Sequence, residues 1–423
     1  MRILIAGTTY HPAVNGQAIF TIHLAEGLAR HGHEVVMITH SMREKPYKII
    51  RNGVKIFGVR SIALTHWNPS AYLSLFPGEP VQRVFSSFKP DVVHIQDHYP
   101  ISWSIANLSH KYDVPVAGTN HFMPENLAPY LQGFSWFKPG FNWVLWKWML
   151  ALYNHLSIAT APSRTAAEIL RKKGLRIPVY PISCGVDQQR FHPMPDIDRQ
   201  TMRRRYGLNP DRYTLMFVGR VDSEKRIDVL LNALHQIKRD DIQLAVAGKG
   251  AAAGTLKKLA QDLNLGDRVH FTGYVPDADL PGLLNSADVF VMPSEAELLS
   301  IASLEALSCG RPILAANSQA LPELVDPGTN GYLFNPGDAQ DAARSIQLIL
   351  SQESRWPEMQ TASLDKVRTH SLDYTLNRYE QVYGLMLSNA LNADQTAVQS
   401  GQTIRTRPLK SYAQEVDVHI KKK

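Results

Sequence analysis

DVFVMPSEAELLSIASLEALSCGRP, residues 288–312, is the stretch on which the reading of this chain turns. Val289–Met292 is a short apolar run of the kind that forms a buried parallel strand. Pro293 ends it, and Pro293-Ser294-Glu295-Ala296-Glu297 makes a loop. Leu298–Ser308 has the length and residue types of a helix, stopped by Gly310 and Pro312. Glu297 therefore stands just before a helix N-terminus, with Glu305 about two turns along. Unpaired backbone N–H groups at such a terminus suit a phosphate. Acceptor-only carboxylates suit sugar or ribose hydroxyls. Taken alone, both acids also fit an ordinary helix, where Glu297 complements the dipole.

The same strand–loop–helix pattern recurs on both sides. Tyr213–Val218 is a strand ending in Gly219, and Arg220 and Lys225 lie on the loop that leads to a helix over Ile227–Lys238. Two cations five residues apart can converge on one diphosphate, Arg as a fork of donors and Lys as a point charge. An isolated pair of this kind is more commonly surface charge. Gln243–Ala247 is a strand ending in Gly248-Lys249-Gly250, and Val269–Phe271 and Ile313–Ala316 continue the series. Towards the N-terminus, Met1–Ala6 is a strand. A loop with Pro12, Asn15 and Gly16 follows, then a helix over Ala18–His31 and a strand over Glu34–Thr39. Further strands are expected at Val54–Val59, Val92–Gln96, Val116–Thr119 and Ser157–Ala161. Alternation of this kind predicts two doubly wound α/β halves with parallel sheets, whose ligands bind at the carboxyl ends of the strands.

The length of 423 residues fits two domains. The division is expected in the Pro-containing, charged stretch around Asp187–Arg205. This gives an N-terminal domain over 1–190, a C-terminal domain over 191–372 and a helix over 373–392 returning to the N-terminal domain. The remainder, 393–423, reads as a flexible basic tail, ending in three lysines. The formal charge of +7 is mildly basic. The basic residues are scattered and no groove-reading module is present, so a nucleic-acid partner is not expected. Two cysteines far apart in sequence suggest no disulfide framework and a reducing cytosol. No apolar run reaches the roughly 18 residues that span a bilayer.

Pro293-Ser294, Glu297 and Glu305 with seven residues between them, Ala306 and Cys309-Gly310-Arg311-Pro312 resemble the E-x7-E signature of the large retaining glycosyltransferase family 4. Members of that family have the two-domain GT-B fold, in which two Rossmann-like domains face each other. Gly219-Arg220 with Lys225 is similar to the family's phosphate pair, and Gly248-Lys249-Gly250 to its nucleotide-side loop. Asp288 and Leu321-Pro322-Glu323-Leu324-Val325 also fall where the family has such segments. The resemblance covers about residues 1–385 in order. It implies that Arg220 and Lys225 neutralise a donor diphosphate, that Glu297 binds the transferred sugar and that Glu305 binds the ribose. It further implies that Asn15-Gly16 faces the diphosphate from the N-terminal domain and that His121 lies near the reacting sugar. Asn15-Gly16 stands where the family often has Gly-Gly, and Leu298-Leu299-Ser300 where it often has Phe-Gly after the first glutamate.

The expected chemistry is a sugar–phosphate cleavage in which Arg220, Lys225 and the amides at Leu298–Ser300 take up the leaving charge, without metal or other cofactor. The two Asp-x-Asp triplets, Asp196–Asp198 and Asp277–Asp279, read as linker and helix-start acids. On the acceptor side, Phe134–His155 holds four of the seven tryptophans, Trp136, Trp143, Trp146 and Trp148, interleaved with Lys138 and Lys147. Trp and Lys together suit an anionic bilayer surface, helped by Arg171–Lys173, Arg203–Arg205 and the final lysines. The other reading of this segment is a buried aromatic helix. The pattern resembles family members that glycosylate diacylglycerol lipids. The expectation is a cytoplasmic transferase, peripheral on the inner face of a membrane. It would move glucose or galactose from a UDP-sugar to diacylglycerol or a glycosyl-diacylglycerol. The alternatives are a GDP-mannose- or UDP-sugar-dependent enzyme for a polysaccharide or small soluble acceptor and, more distantly, a non-catalytic nucleotide-sugar-binding protein.

Overall fold

A computed structural model describes residues 1–11, 15–43, 45–63, 72–124 and 138–400. The chain divides into two compact units: Met1–Ser183 together with Thr375–Lys423, and Cys184–Tyr374. The first break thus falls a few residues before the expected one at 190, and the second just after 372.

The N-terminal unit is built on an eight-stranded sheet. Its spatial order is Val179–Pro181, Ile158–Ala161, Val116–Thr119, Val92–Ile95, Arg2–Ala6, Glu34–His40, Val54–Val59 and Tyr47–Arg51. Neighbours pair in parallel except at the edge strand Tyr47–Arg51. The central strands are buried, which is why they read as continuous apolar runs. Tyr47–Arg51 was not foreseen; it is exposed at the edge and lacks such a run. The strand order reverses between Arg2–Ala6 and Val92–Ile95, so the loops after these two strands flank a switch point.

The helix Gly16–Arg30 starts at Asn15, whose side chain accepts from Ala18 N at 2.9 Å. That capping bond gives a physical reason for asparagine at this position.

The last helix, Leu372–Ser400, packs from Thr375 onward in the N-terminal unit. Leu376 fills the space beside Gly27 so closely that a Cβ there would collide with it. Tyr383 Oη bonds His94 Nδ1 at 2.7 Å, and His94 Nε2 bonds Thr119 Oγ1 at 2.7 Å. Glu380 sits between His31 at 3.0 Å and His33 at 2.8 Å. Residues 393–400 are helical, which corrects the expected start of the tail. Ala393, Gln395 and Ala397 favour helix, and neither Gly nor Pro intervenes before Gly401. The rest of the tail lies outside the described residues.

The second unit holds a six-stranded, fully parallel sheet. Its order is Val269–Gly273, Ile242–Ala247, Tyr213–Val218, Val289–Met292, Ile313–Ala316 and Gly331–Phe334. Numbered within the unit this is 3-2-1-4-5-6, the doubly wound order that binds ligands outside the carboxyl ends of strands 1 and 4. Those two strands are Tyr213–Val218 and Val289–Met292, the two that carry the Arg220–Lys225 loop and the Glu297 loop.

Candidate active site

Each of these loops is held in place by its own chemistry. Gly219 follows the first strand of the second unit, and its N–H donates to Ala247 O at 3.0 Å. Val221 N donates to Lys249 O at 2.9 Å, and Ala252 N to Val221 O at 2.9 Å. The loops Gly219–Asp222 and Gly248–Ala252 are thereby laced backbone to backbone. A Cβ on Gly248 would overlap the carbonyl of Gly219, and one on Gly250 the carbonyl of Val221. Only glycine permits this approach. Lys249 projects outward, with Nζ 5.9 Å from the centre of the Tyr274 ring.

Lys225 Nζ lies 2.5 Å from Glu297 Oε1, joining the loops that leave strands 1 and 4. Both side chains are largely shielded from solvent, at 15% and 11% exposure. Arg226 pairs with Glu295, and Ser294 Oγ donates to Glu224 O at 3.4 Å, so the junction has three bonds. Arg220 is half in solvent; its guanidinium pairs with Asp222 and, at 2.5 Å, with Glu224. Asp222 and Glu224 were not singled out from sequence, although both lie within the RxxxxK stretch. Three cations, Arg220, Lys225 and Arg226, and four carboxylates, Asp222, Glu224, Glu295 and Glu297, thus pair on the loops at the switch point.

The helix expected from Leu298 begins at Ile301, a correction of three residues. Ser300 is its N-cap, with Oγ accepting from Ser303 N at 3.2 Å. The reason is chemical: serine caps well and leucine does not. The helix itself therefore offers the amides of Ile301 and Ala302, while Leu298–Ser300 belong to the loop before it. Glu305 lies on this helix, half-buried, with its carboxyl pushed up to about 8 by burial; Arg190 opposes the shift and Asp277 adds to it. Among the described residues no hydrogen bond to its carboxylate is formed.

Asp288, before the fourth strand, is a structural anchor. It takes Arg199 at 2.5 Å, Arg203 at 2.7 Å and Thr214 N at 2.7 Å. Arg203 also donates to Ser286 O, Pro210 O and Arg212 O. It is buried, which removes it from the basic surface patch expected at Arg203–Arg205. Both Asp-x-Asp triplets end at helix starts: Asp198 caps Arg199–Arg205, and Asp279 precedes Leu280–Ser286. Among the described residues no group of three or more His, Cys, Asp or Glu could hold a metal ion.

In the N-terminal unit, His121 follows the strand Val116–Thr119. Its Nε2 is 3.1 Å from Gln96 Oε1, and its ring sits 4.8 Å from that of Phe20. Burial pushes the imidazole down to about 3, so it is neutral at physiological pH.

The tryptophan segment forms the helix Lys138–Tyr153. Trp143, Val144 and Trp148 are exposed at 62%, 54% and 37%, and Lys147 stands over Trp143 at 5.7 Å. The spacing 143, 144, 147, 148 is one helical face. Trp146 is on the opposite side and buried with Met149, Leu150 and Tyr153, so its expected place at the surface is corrected. One face of the helix is thus core and the other is exposed. Trp136 and the side chain of Lys138 lie outside what is described.

Comparison with known proteins then decides the family. Residues 14–190 match Glycosyltransferase Family 4, and residues 198–363 match Glycosyl transferases group 1. The chain is a family 4 glycosyltransferase. The enzyme is 27% identical over 332 residues to the sulfoquinovosyl transferase of Arabidopsis thaliana, covering 75% of this chain and 60% of that protein. It is 25% identical over 394 residues to the GDP-mannose-dependent alpha-mannosyltransferase of Corynebacterium glutamicum, covering 90% and 88%. It is 24% identical over 345 residues to the alpha-monoglucosyldiacylglycerol synthase of Streptococcus pneumoniae, covering 79% and 75%. In fold it is similar to sucrose-phosphate synthase from Thermosynechococcus elongatus, with a TM-score of 0.76 at 21% identity over 92% of this chain and all of that one. It is also similar to Anabaena HepE solved with UDP, with a TM-score of 0.72 at 18% identity over 91% and 100%. The transferase thus has the GT-B fold.

Proposed function

We propose that the enzyme is a retaining, metal-independent hexosyltransferase. It moves glucose or galactose from a UDP-sugar to a membrane lipid hydroxyl, that of diacylglycerol or a glycosyl-diacylglycerol. The observation that carries this reading is the Lys225–Glu297 junction at the switch point of the second unit. A diphosphate there competes with Glu297, Asp222 and Glu224 for Lys225 and Arg220. As the sugar–phosphate bond breaks, charge grows on the leaving oxygen, and the two cations with the Ile301 and Ala302 amides stabilise it. Released Glu297 then accepts from sugar hydroxyls, and Glu305 from the ribose. This arrangement supplies the positive charge that a divalent ion supplies elsewhere, so neither metal nor other cofactor is required. The UDP-bound structural relative supports a uridine donor.

The lipid acceptor is supported by the diacylglycerol-glucosylating relative and by the Trp143–Val144–Lys147–Trp148 face, which fits an anionic bilayer surface. No helix among the described residues is long and apolar enough to cross a membrane. We place the enzyme on the cytoplasmic face of a membrane as a peripheral protein, a reading supported by the exposed Trp143–Lys147–Trp148 face. A GDP-mannose donor with a soluble or polysaccharide acceptor is the second reading, favoured by the mannosyltransferase likeness over 90% of the chain.

The test is incubation of the enzyme with radiolabelled UDP-glucose, UDP-galactose or GDP-mannose plus a lipid extract, with and without EDTA. Label should pass from a UDP-sugar into the organic phase, unaffected by EDTA. Lys225→Met should lower turnover about 10²–10³-fold with an unchanged circular dichroism spectrum. Transfer from GDP-mannose alone, or strict metal dependence, would overturn the assignment.

A further inference from the structure

Gln96 stands at the switch point of the N-terminal sheet, directly after Val92–Ile95 and beside the loop that leaves Arg2–Ala6. It is fixed from several sides. Its N–H donates to Ala6 O at 2.8 Å, and its carbonyl accepts from Gln17 Nε2 at 3.0 Å. Gly7 packs so tightly against it that a Cβ there would lie 2.9 Å from Gln96 Cβ. The side chain is 1% exposed. Its Oε1 meets His121 Nε2 at 3.1 Å, yet its Nε2 has no partner among the described residues. Turning the amide over only moves the deficit to Oε1. A buried amide end left unpaired is destabilising, and folded chains rarely keep one without a use. Two further buried orphans lie at this same carboxyl edge: Thr9 Oγ1 after the first strand and His40 Nδ1 at the end of the second.

We infer that Gln96 is a substrate-contacting residue whose unpaired amide end reads a hydroxyl group of the donor sugar or of the acceptor, while its other end fixes the tautomer of His121. The inference rests on the transferase reading above. With Nε2–H donated to Gln96, the lone pair of His121 lies on Nδ1, so the pair presents one donor and one acceptor of fixed polarity and no net charge. A hydroxyl, which both donates and accepts, matches that pattern, whereas a phosphate offers no proton to the imidazole. The surroundings keep the pair neutral. His94 on the adjoining strand is itself uncharged, and Phe20 covers the ring from the first helix. Asp97, next in the chain, is committed to Thr8 N at 2.5 Å, Tyr99 N at 3.0 Å and Ser102 Oγ at 2.7 Å.

The test uses the full-length enzyme with the labelled donor it turns over, assayed for donor hydrolysis alone and for transfer to acceptor. Gln96→Leu removes the orphan end but also takes the acceptor from His121 Nε2, so the two effects oppose and Tm should change little. It should nevertheless lower kcat/KM about 10- to 100-fold. Loss of hydrolysis and transfer together assigns the hydroxyl to the donor sugar; loss of transfer alone assigns it to the acceptor. Gln96→Glu puts a carboxylate against His121, raises the imidazole's pKa and should add a limb to the pH–rate profile that wild type lacks. Unchanged kcat/KM in Gln96→Leu, or activity falling only in step with Tm while the Gln96→Glu profile stays flat, would overturn the inference. Wild-type turnover is the control that separates the two readings. An enzyme inert with every donor overturns the transferase reading and this assignment with it.

Discussion

Glu305 shows how much one residue's environment adds to its identity. A glutamate on this helix is legible from spacing, though it stands about one turn from the observed start and not two; its burial without a hydrogen-bonding partner is not. The folded carboxyl titrates at about 8, against 4.5 for an unperturbed one. Between those values the folded chain keeps a proton that the unfolded chain has lost. Stability therefore falls as pH rises through the window. Glu305→Gln should be neutral for Tm near pH 4.5 and gain roughly a few degrees by pH 8, read by calorimetry. The same variant should bind donor more weakly above about pH 8, where Glu305 is ionised, since an amide accepts fewer hydroxyls than a carboxylate. A Tm difference that does not vary with pH would show that this carboxyl is not the source of the dependence.

At the scale of elements, the strands were legible and the partners of the charges were not. Ile242–Ala247 and Val289–Met292 are apolar throughout because both faces of the sheet are covered, and no tertiary information is needed to see it. Asp222 and Glu224 stood in plain view, yet their role as partners of Arg220 depends on the fold of the loop. Gln96 carries no sequence signal at all; its meaning comes from a neighbour 25 positions away. The Lys138–Tyr153 helix is a further case, since tryptophans crowd both of its faces and periodicity alone does not sort them. Two kinds of substitution should therefore behave differently. Trp146→Ala should cost about 3–5 kcal/mol in denaturant unfolding. Trp143→Ala with Lys147→Ala and Trp148→Ala should cost less in unfolding than Trp146→Ala, the loss coming from the Trp148 ring contacts with His98 and Tyr99, and should weaken sedimentation with anionic vesicles. Vesicle binding that survives the triple change would remove this face from the membrane reading.

Over the whole molecule, buried neutral histidines set the acid limit. His40 and His370 are lowered to about 4 and His94 and His121 to about 3, in each case chiefly by burial. Unfolded histidines protonate near 6.5, so below that pH the unfolded chain takes up protons that the folded chain refuses. The stabilisation is complete above about 6.5 and is lost as pH falls towards 4. Three of the four are in the N-terminal unit, which should therefore yield first. Six of the seven tryptophans also lie there, so tryptophan fluorescence reports that unit. Its midpoint in an acid titration should precede that of total helix content by circular dichroism; coincident midpoints would refute the ordering.

The return of the last helix has a consequence for biosynthesis. Leu376, Tyr379 and Tyr383 complete the core of the unit that emerges first from the ribosome, but they are translated after the entire second unit. The first-made half must wait, with the groove that receives this helix uncovered, while the later-made half can close as soon as its own strands are out. Nascent chains arrested before residue 375 should therefore recruit chaperones to their N-terminal half, and release of the final helix should end that dependence.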